Sequence, residues 1–210
     1  MLHIGCDTHI LKEFINYDYN IFIFANYIPF LPFFLSKLNF IPKPFIDFIY
    51  CAKSNKIKYC NASKKIPHKN STIDIIYSCH MVQHLDWAET SSFFNEALRV
   101  LKDNGILRIV IPDSDNYIND YNKERDIDSF VRKTWLVAEK PKTIIKKLQY
   151  LIQGHIWHHQ LFTKKSIRKF EKLGFRKVLL LDPGETTISF ETSINLKQRE
   201  GDSLYFEFIK

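Results

Sequence analysis

His80 and His84 stand four residues apart, just after the apolar run at 73–77, in Ser78-Cys79-His80-Met81-Val82-Gln83-His84. A neutral imidazole can take a proton near pH 7, so either histidine could serve as a base. One helical turn would put both on the same face, a spacing that could also hold a metal. No acidic third ligand stands nearby, and no metal is expected. A second group, His155-Ile156-Trp157-His158-His159, lies further on. His158 there is a candidate base or hydroxyl-orienting group; the competing reading is a helix-entry loop packed by Trp157 and Phe162. Asp113 follows a second apolar run at 106–111. It can assist a base or bind a hydroxyl, and equally it can cap the next helix.

The elements that must carry these residues are legible from pattern. Ile73, Ile75, Ile76 and Tyr77 suit a strand buried on both faces. Residues 106–111 form another such strand, which Pro112 ends by withholding a backbone donor. Between them Phe93, Phe94, Ala97, Leu98 and Leu101 recur at helical steps, and Gly105 reads as the helix stop. Residues 2–6 read as the first strand, 14–17 as the second (ending at Asp18), and 56–60 as a third. A helix is expected between the first two. Residues 19–54 are broken by Pro29, Pro32, Pro42 and Pro44 among aromatics, which suits a flap of short helical turns. Thr163 can cap a helix over 164–173, stopped by Gly174, with a break expected near Lys140-Pro141-Lys142. Residues 176–181 and Ser203–Ile209 read as closing strands. The order argues for an α/β, doubly wound Rossmann-like sheet of about seven strands, mostly parallel with an antiparallel C-terminal strand. In such sheets ligands lie beyond the carboxyl ends of the strands.

The 210 residues suit a single domain over 1–210, and the high aromatic content argues against disorder. The net charge of +7 permits an anionic partner without requiring one. Basic residues crowd the C-terminal half, yet aromatics are not interleaved with them as a nucleic-acid platform would want, so nucleic acid is not the expected partner. Cys6, Cys51, Cys60 and Cys79 show no CxxC spacing, and reduced thiols in a cytoplasmic protein are expected. Met1-Leu2-His3-Ile4-Gly5 enters a strand at once, without a signal peptide. The apolar stretch at 21–35 is too short and too broken to span a bilayer, which needs about 20 residues. The flap most simply covers the core and one wall of a site; peripheral contact with a membrane is the alternative.

Several segments together resemble the class I S-adenosylmethionine-dependent methyltransferases, and within them a compact bacterial and viral branch found beside polysaccharide-synthesis genes. They are Leu2-His3-Ile4-Gly5-Cys6, Ile15-Asn16-Tyr17-Asp18, Ile66-Pro67 with Asn70-Ser71-Thr72-Ile73-Asp74, the Tyr77-to-Leu85 segment, Arg99-Val100-Leu101-Lys102, Ile109-Val110-Ile111-Pro112-Asp113, the His158-to-Gly174 segment and Ser203-Leu204-Tyr205-Phe206-Glu207. The resemblance implies S-adenosyl-L-methionine as cofactor, S-adenosyl-L-homocysteine as product, and O-methylation of a sugar, glycan or related small acceptor. It places Gly5, Cys6 and Asp7 against the methionine part, with Asp7 where a second glycine is usual. Asp18 would take the ribose hydroxyls and Asn61 the adenine amino group. Ser78 and His80 would complete the cofactor wall, and His158, Asp113 and His80 would be the catalytic candidates. Gln83 replaces the family's glutamate. Asp7, Asn61 and Gln83 leave open a non-catalytic binding or scaffolding subunit. An RNA methyltransferase is a third reading, supported by charge alone.

Overall fold

The computed structural model describes residues 1–37, 41–136 and 157–210. Among them β1 (Leu2–Ile4), β2 (Ile15–Asp18), β3 (Lys58–Tyr59), β4 (Ile73–Cys79), β5 (Leu101–Pro112), β6 (Lys177–Leu181) and β7 (Ser203–Ile209) form one sheet in the order β3-β2-β1-β4-β5-β7-β6. The pairs from β3 to β5 are parallel, whereas β7 runs antiparallel to both β5 and β6. The chain winds outward from β1 to β3, then begins again at β4 on the other side of β1. A crevice must open at that reversal, above the carboxyl ends of β1 and β4.

Alternation along the strands separates two faces. Leu107, Ile109 and Ile111 of β5 and Leu204, Phe206 and Phe208 of β7 point to one face. There they meet α3 (Trp87–Val100), whose Phe93, Phe94, Ala97 and Val100 are buried. A capping box starts α3: Asp86 accepts from Glu89 N at 2.8 Å, and Glu89 accepts from Asp86 N at 3.1 Å. Phe94 stacks on Phe170 at 4.2 Å. Phe170 follows α6 (Lys164–Arg168), which Thr163 caps as expected.

No described helix covers the other face of β1, β4, β5 and β7. The helix expected between β1 and β2 is absent: residues 5–14 make turns, His9 N donating to Cys6 O and Phe14 N to Leu11 O. That link is about as short as a parallel crossover can be, with no length left for a helix. Asn16 supports it instead, accepting from Leu11 N at 3.2 Å and donating to Leu11 O and Phe14 O. Ile75, Tyr77, Val110 and Tyr205 on this face pack with Leu11 and Phe14, and with Ile188 and Ile194 from the irregular segment 182–202. Gln198 ties that segment down, accepting from Tyr77 Oη at its side chain and from Tyr205 Oη at its carbonyl, each at 2.9 Å. Arg108 of β5 and Glu207 of β7 form an ion pair under the same cover, 2.6 Å apart and fully buried.

Gly105 does not stop α3. The helix ends at Val100, and Leu101 already pairs with Ile73 as the first residue of β5. The register then shifts, and Gly105 sits within this irregular stretch of the strand. A Cβ there would lie 2.8 Å from Lys102 O and 3.1 Å from Ile73 O, so close backbone approach is what requires glycine.

The flap comprises a 3₁₀ turn (Ile21–Tyr27), α1 (Leu31–Lys37) and α2 (Lys43–Ser54). Ile46, Phe48, Ile49 and Ala52 of α2 are buried. Beyond β5 come α4 (Ser114–Glu124) and α5 (Ile127–Thr134). The break expected at Lys140-Pro141-Lys142, and His155, lie outside the described residues.

Candidate functional site

A cavity of about 470 Å³ opens above the ends of β1, β2 and β4. Gly5, Cys6, Asp7, Asp18, Asn61 and His80 all line it, although they come from four separate chain segments.

Gly5 leaves β1 with a φ of +71°, a left-handed conformation that glycine adopts without steric cost. A Cβ at Gly5 would come within 2.7 Å of Met81 Cβ, so the absent side chain lets the two loops close on each other. Cys6 is buried, which pushes its thiol pKa well up and leaves it uncharged. Asp7 also has a positive φ, +44°. Aspartate tolerates this region better than most side chains, which explains how it can stand at the expected second glycine. Its backbone N donates to Asp18 Oδ2 at 2.8 Å, while Asn20 N donates to Oδ1 at 2.9 Å. Burial pushes the Asp18 carboxyl up, and those two donors pull it part of the way back. Each oxygen keeps acceptor capacity for a vicinal diol.

Asn61 lines the cavity but its oxygen is engaged locally. It accepts from Ser63 Oγ at 2.7 Å and from Lys64 N at 3.2 Å. Ser78 is fully buried within β4 and is not part of the wall, which corrects its expected cofactor role.

His80 begins the loop after β4 with a φ of +51°, and its N donates to Val110 O. Its Nε2 lies 2.8 Å from Ser203 Oγ, which donates to Asp202 Oδ1 at 2.6 Å. A hydroxyl committed to the carboxylate can only accept from the imidazole. Nε2 therefore carries the proton and Nδ1 the lone pair. Burial, with Arg199 nearby, lowers the His80 pKa to about 4, so the ring is neutral at pH 7.

The other two catalytic candidates fall elsewhere. Asp113 caps α4 by accepting from Asp115 N at 3.0 Å, and is not among the cavity's lining residues. His158 packs edge-on against His84, centroids 5.0 Å apart, and its ring stacks on Trp135. His84 lines the cavity and His158 does not. Burial, then His84, lowers the His158 pKa to about 4. Gln83 O receives His159 N and Gln160 N, so the 157–160 loop docks on the turn after β4 and brings His158 to His84.

Six contributors to the site were not singled out from the sequence: Met81 under Gly5, Ser203 behind His80, and Phe45, Phe48, Gln198 and Arg199 on the wall.

Residues 45–109 match a family of methyltransferase domains. The matched segment runs from the start of α2 into β5 and takes in Asn61, His80 and His84. No curated protein matches the chain. Among solved structures it is similar to an S-adenosylmethionine-dependent methyltransferase of Methanosarcina mazei, at 16% identity and a TM-score of 0.49, covering 99% of this chain and 89% of the other. It is also similar to a methyltransferase of Thermotoga maritima described as a possible histamine N-methyltransferase, at 16% identity and 0.47, covering 100% and 81%. A third is phosphoethanolamine N-methyltransferase 2 of Haemonchus contortus in complex with S-adenosyl-L-methionine, at 13% and 0.46, covering 100% and 47%. The cofactor that a methyltransferase domain implies is S-adenosylmethionine. The left-handed Gly5 turn and the Asp18 carboxylate fit it.

Proposed function

We propose that this protein transfers a methyl group from S-adenosylmethionine to a hydroxyl of a sugar, glycan or related small acceptor. One observation carries the reading: the Gly5 turn, Asp18 and His80 share the wall of one cavity at the point where the strand order reverses. The bound cofactor would supply an electrophilic methyl on a sulfonium. The side-chain-free Gly5 turn would admit its methionine part, and Asp18 would accept from its ribose hydroxyls. His80 Nδ1, whose lone pair is free, would take the proton of the acceptor hydroxyl. Asp202 behind Nε2 offsets part of the cost that burial and Arg199 place on the imidazolium. His158 acts on His84 as a positioning residue. The glycan part of the reading rests on the branch the sequence resembles.

Calorimetric titration with S-adenosylmethionine and S-adenosylhomocysteine tests this directly. The expected result is micromolar binding that Asp18→Ala weakens by about tenfold or more, the loss of charge-assisted hydrogen bonds to a diol. Folded protein that binds neither ligand would favour the second reading, a non-catalytic subunit. The engaged oxygen of Asn61 is the observation on that side.

Peripheral contact with an anionic membrane belongs to the same proposal. The flap exposes Phe24, Ile28, Phe33 and Phe34, with Tyr27 78% and Phe30 76% accessible. Lys37 lies over the Phe33 ring at 5.8 Å, and aromatics beside a basic residue suit an interface. Among the described residues no helix is long and apolar enough to cross a membrane. The protein is expected to co-sediment with vesicles containing anionic lipid, and Phe30→Ser with Phe34→Ser to abolish this. Recovery of the wild type only in the supernatant would remove the idea.

A further inference from the structure

The geometry points to Arg199 as the group that holds the α-carboxylate of the cofactor's methionine part; this rests on the cofactor reading above. In a doubly wound sheet the turn after the first strand usually leads into a helix, whose N-terminus favours negative charge. Here residues 5–14 form no helix, so that source of positive potential is missing beside Gly5. The wall instead carries three carboxylates, Asp7, Asp18 and Glu89. A ligand presenting a carboxylate would meet repulsion from this set unless a cation offsets it.

Arg199 is the only arginine or lysine among the described wall residues. It reaches the cavity from the segment that replaces the missing helix over the second face of the sheet. Its neighbour Gln198 is pinned by Tyr77 and Tyr205, and Arg199 itself is held at a φ of +65°. A left-handed arginine is strained and persists only where its surroundings fix it. Among the described residues no carboxylate lies within ion-pair distance of its guanidinium, so its charge is available to a ligand. The methionine part carries an ammonium and a carboxylate. Asp7 and Arg199 are opposite charges on one wall, suited to take one each.

Two ligands separate this assignment from its foundation: S-adenosylhomocysteine, which carries the amino-acid tail, and 5′-methylthioadenosine, which lacks it. Both are titrated calorimetrically into the full chain, wild type and Arg199→Gln, with thermal melts to verify folding. The expected result is a fall of about 10–100-fold in affinity for S-adenosylhomocysteine and little change for 5′-methylthioadenosine. Arg199→Lys should recover part of the loss, keeping charge without the planar fork. Unchanged affinity for S-adenosylhomocysteine in Arg199→Gln would overturn the assignment alone. Equal losses for both ligands would also overturn it, by showing an effect on cavity shape. Wild-type protein that binds neither would remove the cofactor reading and this inference with it.

Discussion

Glu207→Gln should destabilise the fold by about 3–5 kcal/mol, lowering the melting temperature by roughly 10 °C or more. Both members of the Arg108–Glu207 pair are fully buried, so neutralising one leaves the other as an uncompensated charge. The two ends are not equivalent. Glu207 also accepts from Thr186 Oγ1 at 2.6 Å, Thr187 N at 2.9 Å and Thr187 Oγ1 at 2.5 Å. Burial pushes its pKa up, but these donors and Arg108 outweigh that and hold it below the usual value. Arg108 has the Glu185 carbonyl and the Tyr205 ring besides Glu207, while its Nε and Nη2 have no partner among the described residues. Losing the carboxylate should therefore hurt more than losing the guanidinium, and Arg108→Met should be the milder single change. Arg108→Met with Glu207→Leu should recover only part of the loss: no desolvated charge remains, but the Thr186 and Thr187 donors lose their acceptor. Urea unfolding of the four proteins gives the comparison. A Glu207→Gln cost below about 1 kcal/mol would mean water reaches the pair.

Gly5→Ala should abolish detectable S-adenosylhomocysteine binding and cost about 2–4 kcal/mol of stability. Two penalties add here. The backbone is left-handed, and the new methyl would press on Met81 Cβ. Met81→Gly in the same chain relieves the second penalty and leaves the first, so stability should return in part. Calorimetry and thermal melts on both variants separate the terms. Gly5→Ala protein that binds like wild type would exclude the β1 turn from the cofactor wall.

The sheet was legible in the sequence because its strands are short apolar runs with clear ends. The runs at 73–77 and 106–111 needed only composition and length, and Ser203–Ile209 was equally plain. Gly105 misled because glycine serves both as a helix stop and where backbones crowd, and only the partner strand tells which. Gly5, Asp18 and His80 line one cavity. Asp113 took the capping role that its residue type equally allowed. His158 could not be placed beside His84 from sequence, since 74 residues separate them and only folding joins them. The segment at 182–202 has neither period, so its role as a cover was invisible. Arg108 and Glu207 did leave a signal. Each is a lone charge in the middle of a run otherwise fit for burial, and opposite signs on two such strands invite pairing.

The cover over the second face also sets an order of events for the nascent chain. Leu11, Phe14, Ile75 and Tyr77 are translated early, yet Ile188 and Ile194, which close over them, come more than a hundred residues after Tyr77. On the ribosome that face stays wet and apolar until nearly the whole sheet has been made, a condition in which chaperones find their substrates. Contacts so distant in sequence also slow the final closure. The segment that closes this face also carries Arg199, so covering the core and completing the cavity wall fall to one piece of chain.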